Sequence, residues 1–137
     1  MSVVTTASTS KDISRRFTMM ICDDSNIIRR KIERELNIDR LEVVASAANG
    51  RIAVEGFTRQ PVDVVTMDIT MPEMDGIECV KKLVQIKPDV LILVISALSD
   101  KATAIEALKS GANGFLCKPF SDRQLTEALE ELLRGAQ

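Results

Sequence analysis

Histidine is absent from the 137 residues. Its absence excludes imidazole acid–base catalysis, most transition-metal sites and any role as a phosphohistidine carrier. Cysteine is scarce: Cys22, Cys79 and Cys117 are scattered, odd in number and form no C-x-x-C pair. That argues against a disulfide frame or a zinc site and for a reducing compartment. No apolar run approaches the roughly 20 residues of a membrane span, and no signal-peptide apolar region opens the chain. A net charge of -2 leaves no broad basic field for nucleic acid or an anionic membrane. The cluster Arg29-Arg30-Lys31 reads as the wet side of a helix. No G-x-G-x-x-G or P-loop follows the first apolar run, so a nucleotide or flavin has no glycine-rich cradle there. A cytoplasmic protein with neither nucleic acid nor membrane as partner is the expectation.

The residues present suit one globular domain, with 45% hydrophobic and 28% charged. Residues 1–16 are rich in Ser and Thr, lack usable periodicity and read as a flexible tail. From Phe17 to Arg134 short apolar runs recur: FTMMIC, LEVVASA, VDVVTM, DVLILVIS and GFLC. Segments of helical period separate them. Ile28, Ile32 and Leu36 share one face, as do Ile77, Val80 and Val84, and Leu125, Ala128, Leu129 and Leu132. Ser25, Asp75-Gly76 and the pair Ser121 with Gln124 mark helix starts, and Gly111 and Gly114 break the chain after the fourth helix. Because the runs are apolar throughout, all five strands are expected to be covered on both faces. About five β-then-α units predict a single domain with an α/β doubly wound parallel sheet and helices on both faces.

In open α/β sheets the working residues gather at the carboxyl ends of the strands. The first strand here ends in Asp23-Asp24, the third in Asp68, the fourth in Ser96 and the fifth in Lys118-Pro119. Taken singly these have simple readings: an Asp caps a helix, a Ser sits in a loop, a Lys is solvated. Capping explains one such residue far better than five on one edge. Three carboxylates placed together repel one another, and a hard divalent cation such as Mg²⁺ resolves that conflict with oxygen ligands. Lys118 adds a positive charge for phosphate oxygens and Ser96 a hydroxyl donor. A carboxylate so placed is a nucleophile towards phosphorus. Asp68 is therefore expected to be phosphorylated, with Met71-Pro72 and Asp75-Gly76 forming a tight loop that leaves its oxygen exposed.

Asp23-Asp24, the segment DITMPEMDG from Asp68, Ser96-Ala97 and Lys118-Pro119-Phe120 together resemble the receiver domain of two-component response regulators, of the single-domain chemotaxis type. The resemblance covers roughly Phe17 to Arg134. It implies a flavodoxin-like strand order 2-1-3-4-5, Asp68 as phosphoacceptor, and Asp24 and Asp68 as direct Mg²⁺ ligands. It also implies Thr70 as a ligand through its backbone carbonyl, Asp23 acting partly through water, and a cis bond before Pro119. Ser96 resembles the switch hydroxyl, Lys118 the phosphate-pairing lysine and Phe115 the switch aromatic. The chain departs from the family where position 115 often carries Tyr, and at position 70, which in some relatives orients the hydrolytic water. The implied partners are a sensor histidine kinase and a downstream protein target such as the flagellar motor switch, bound by a monomer or transient dimer. Ser96 moving towards Asp68 would open space for Phe115 and alter the face made by the fourth helix, fifth strand and fifth helix. A phosphorelay intermediate is the second version of this reading. An aspartate-nucleophile phosphatase fits less well, since Thr70 stands where that class has its second Asp and no cap domain is present.

Overall fold

The structure is a computed structural model that describes residues 15–69, 71, 74–97 and 101–136. Five strands, β1 (Phe17–Cys22), β2 (Leu41–Ala47), β3 (Val64–Asp68), β4 (Leu91–Ser96) and β5 (Gly114–Cys117), alternate with five helices. These are α1 (Asn26–Glu35), α2 (Gly50–Arg59), α3 (Gly76–Ile86), α4 (Lys101–Ser110) and α5 (Asp122–Gly135). All strand pairs are parallel and the order is β2-β1-β3-β4-β5. The doubly wound parallel sheet expected from the β-α pattern is observed, in the flavodoxin-like order that the resemblance implied.

Strand alternation divides the core into two layers. Met20, Val65, Met67, Ile92 and Val94 point towards α2, α3 and α4, where Phe57, Leu83 and Ala107 meet them. Met19, Ile21, Val64, Leu93 and Ile95 point the other way, onto Ile32 of α1 and Leu125, Leu129 and Leu133 of α5. The central strands β1, β3 and β4 are buried almost throughout. The edges correct the expectation of uniform two-sided cover. Along β2 Glu42, Val44 and Ser46 are exposed between better covered residues, and none of the four residues of β5 is fully buried. An edge strand has helices packed against it on less of its surface, so an apolar composition does not guarantee burial there.

The helix starts follow the sequence signals. Ser25, Asp75 and Ser121 each accept a backbone N–H three residues on, and Ser121 with Gln124 forms the reciprocal capping box. Asn49 caps α2 in the same way, a cap not singled out from the sequence. Gly111 ends α4 at φ +121°, a conformation that disfavours side chains, whereas Gly114 is the first residue of β5 rather than a breaker. Arg15, within the expected tail, lies over the Phe17 ring at 4.5 Å; residues 1–14 fall outside the described residues. All three cysteines are free, with Cys22 and Cys79 buried and Cys117 exposed.

Gly56 offers a clean stability test, because a Cβ there would meet only the flexible Met20 Cε at 3.6 Å, an ordinary contact. Gly56→Ala is expected to raise stability by about 0.5–1 kcal/mol, the helix-propensity difference. Urea denaturation checks it; a lowered midpoint would show that the helix interior has no room.

Candidate functional site

The parallel register brings the carboxyl ends of β1, β3, β4 and β5 onto one edge of the sheet. Asp23 follows β1, Asp68 closes β3, Ser96 closes β4 and Lys118 follows β5. Asp23, Asp24 and Asp68 each present a carboxylate oxygen within 4.8 Å of the others. Asp23 and Asp68 are buried, at 1% and 3% exposure, and Asp24 is exposed. Burial of Asp68 corrects the expectation that the β3–α3 loop leaves its oxygen in the open. The chain turns back directly over the strand end: Gly76 N–H donates to Ile69 O at 2.6 Å, and a Cβ on Gly76 would stand 2.3 Å from Asp68 O.

Asp23 is firmly held. Its Oδ1 accepts the Ser25 N–H at 2.8 Å, its Oδ2 takes the Lys118 ammonium at 2.9 Å, and its backbone oxygen accepts from the Arg29 guanidinium at 2.7 Å. The Lys118 Nζ lies farther from Asp68 Oδ2, at 3.6 Å. Burial by itself would pull the Lys118 pKa down. The hydrogen bond and charge of Asp23, followed by those of Asp68, more than offset it and hold the ammonium above its usual value. Just below the site, burial pushes the Cys22 thiol well up, with the charges of Cys79 and Asp23 adding to it, and Cys79 is pushed up to about 12, also chiefly by burial. Both are neutral thiols at neutral pH and belong to the core.

Ser96 is fully buried, and its backbone oxygen accepts the Lys118 N–H at 2.8 Å, so the ends of β4 and β5 are tied together. Phe115, beside Val94 in the register, is half-buried against the layer that contains Ala107 of α4. The bond from Lys118 to Pro119 is cis, as the resemblance implied. Thr70 lies outside the described residues. Sequence reasoning overlooked the Arg29 contact, which a helical offset of six residues from Asp23 does not advertise.

A donor set made only of carboxylate oxygens suits a hard cation such as Mg²⁺ and does not suit a soft metal. The Lys118 ammonium offsets one of the three carboxylate charges, and such a cation would neutralise more. Among the described residues no helix is long and apolar enough to cross a membrane.

The model of the response regulator receiver domain matches residues 19–130. The chain belongs to that family. Chemotaxis protein CheY of Thermotoga maritima is 41% identical over 114 residues, which make up 83% of this chain and 95% of that protein. A protein-glutamate methylesterase/protein-glutamine glutaminase of Rhodospirillum centenum is 42% identical over 127 residues, 90% of this chain but only 32% of that protein. The same module thus also occurs as part of larger enzymes. Among solved structures, the CheX-CheY-BeF3-Mg²⁺ complex of Borrelia burgdorferi superposes with a TM-score of 0.82 at 27% identity, covering 90% of this receiver and 98% of the matched chain.

Proposed function

We propose that this receiver accepts a phosphoryl group on Asp68 from a sensor histidine kinase in the cytoplasm and thereby switches its α4-β5-α5 face to bind a protein target in chemotaxis. The observation that carries this reading is the cluster of three carboxylates within 4.8 Å, with Lys118 reaching two of them. The likeness to a chemotaxis protein supports chemotaxis as the setting, and the flagellar motor switch is the kind of target that the family resemblance implies. The protein's only catalysis would be on its own phosphoryl group.

In the transfer step an Asp68 carboxylate oxygen forms the new P–O bond while the P–N bond of the donor phosphohistidine breaks. The imidazole leaves with the electron pair. Hydrolysis breaks the same P–O bond when a water oxygen attacks phosphorus, releasing inorganic phosphate and the free carboxylate. Asp24 and Asp68, with the Thr70 carbonyl, would hold Mg²⁺, which when bound neutralises the developing charge on the phosphoryl oxygens. Both Asp23 oxygens already have protein partners, which supports a role through water for this residue. After transfer Lys118 pairs with the phosphoryl group. Ser96 donates its hydroxyl to it, and Phe115 turns into the space released beside α4. That rearrangement rewards one of two states by differential contacts, which a switch requires. The altered face is made by α4, β5 and α5, and it binds the target or a second copy transiently.

Incubation with a small phosphodonor such as acetyl phosphate and Mg²⁺ is expected to add one phosphoryl group, located on Asp68 by peptide mass spectrometry. Asp68→Asn should take none; undiminished labelling of that variant would sink the assignment. With beryllium trifluoride bound, Ser96 should approach Asp68 and Phe115 should change rotamer. A Phe115 ring unmoved in that state would rule out the coupling while leaving the phosphorylation site intact.

A further inference from the structure

The described residues with buried polar or charged side chains are Asp23, Asn49, Thr66, Asp68 and Ser96. Asn49 caps α2, and three of the others belong to the site already described. Thr66 is left over. It lies in the middle of β3 at 1% exposure, and its hydroxyl has no hydrogen-bond partner. Its register neighbours are Ile21 on β1 and Leu93 on β4, both apolar and buried. Leaving a hydroxyl unsatisfied in such surroundings costs stability, and valine has the same shape without that cost.

Position on the strand shows what the hydroxyl is near. Side chains two residues apart on a strand share a face, so Thr66 stands directly beneath Asp68. On the neighbouring strand Ile21 bears the same relation to Asp23. The apolar layer of Val64, Ile21, Leu93 and Ile95 surrounds it on the other sides. The nearest polar groups along its face are therefore the carboxylates at the sheet edge. A departure from local stability rules beside a reactive group is where functional residues are expected.

We propose that Thr66 is a positioning residue for Asp68, donating its hydroxyl up the strand to one buried water that joins it to the Asp68 carboxylate, and so holding that carboxylate for attack on phosphorus. The inference rests on the reading of Asp68 as phosphoacceptor.

The test compares Thr66→Val and Thr66→Ser with the wild-type protein. Acetyl phosphate labelling in Mg²⁺ should slow about tenfold in Thr66→Val, the low end for losing an outer partner of a site ligand, while its urea midpoint rises. Thr66→Ser should restore the rate. Thr66→Val labelling at the wild-type rate would overturn the proposal. So would a variant both slower and less stable that serine does not rescue, since that is a packing defect. A high-resolution crystal structure supplies a readout independent of activity: one water joining Thr66 Oγ1 to Asp68 is expected. A hydroxyl bonded only to strand backbone would overturn the inference. If the wild-type protein took no phosphoryl group, the reading of Asp68 would fall, and the crystallographic contact would still decide the position of Thr66.

Discussion

Gly76→Ala is expected to slow phosphorylation of Asp68 by about 100-fold, the size of effect that follows from misplacing a reacting group by roughly 1 Å. Gly76 is the first residue of α3 and packs against the strand end from the opposite side of the loop. A methyl group there would lie 2.3 Å from Asp68 O and 2.6 Å from Ile69 Cα. Both obstacles are backbone atoms, with no flexible side-chain end to swing aside. The Ile69 oxygen is also held by the Gly76 N–H at 2.6 Å, so the loop cannot open without losing that bond. Relief must come by displacing β3 at Asp68, the proposed phosphoacceptor. Overpacking of this kind costs about 3 kcal/mol. Labelling kinetics with acetyl phosphate and urea denaturation measure the two effects separately. A Gly76→Ala protein that labels at the wild-type rate would show that the loop yields elsewhere.

Lys118→Met is expected to destabilise the metal-free protein by roughly 3 kcal/mol, the low end for breaking a buried ion pair. Asp23 and Asp68 are buried, and the Lys118 ammonium reaches both, at 2.9 and 3.6 Å. Methionine keeps much of the stem and removes the charge, leaving carboxylates that repel one another without relief. The same substitution removes a cation that competes with Mg²⁺ for those oxygens. Even the ~1 kcal/mol that two charges 4 Å apart retain in bulk water approaches a factor of ten in affinity. Mg²⁺ should therefore bind Lys118→Met about tenfold more tightly and recover much of the lost stability. The chain has neither Trp nor Tyr, so titration calorimetry is the suitable measurement; unchanged or weaker Mg²⁺ binding would contradict the competition. The pH dependence has a definite sign. Lys118 has a raised folded pKa, so its contribution is complete below the unfolded value of 10.5 and is lost as pH rises through the higher folded value. The stability deficit of Lys118→Met should accordingly stay constant across neutral pH and shrink in strong alkali.

Local chemistry made much of the receiver legible in its sequence. β1, β2 and β5 coincide with the apolar runs FTMMIC, LEVVASA and GFLC. Ser25, Asp75 and Ser121 cap helices where they were expected to, because a cap is made within three residues of its own chain. The polar residues at the strand ends were equally visible, since a charge after an apolar run stands out wherever the strand later goes. Their meeting depended on parallel register, which places the ends of strands far apart in sequence on one edge. Only that packing decided that Asp23 and Asp68 are buried while Asp24 is exposed, that Lys118 sits closer to Asp23 than to Asp68, and that Arg29 reaches back to the Asp23 backbone. It also separated Val44, exposed on the edge strand β2, from Val65, sealed at the centre of the sheet, although both are valines in apolar runs. Thr66 gave no sequence signal at all, because threonine is an ordinary strand residue. Its hydroxyl became significant when neighbouring strands flanked it with Ile21 and Leu93 and buried it. Periodicity and capping are properties of a segment, whereas burial and charge pairing are properties of what other segments bring to it.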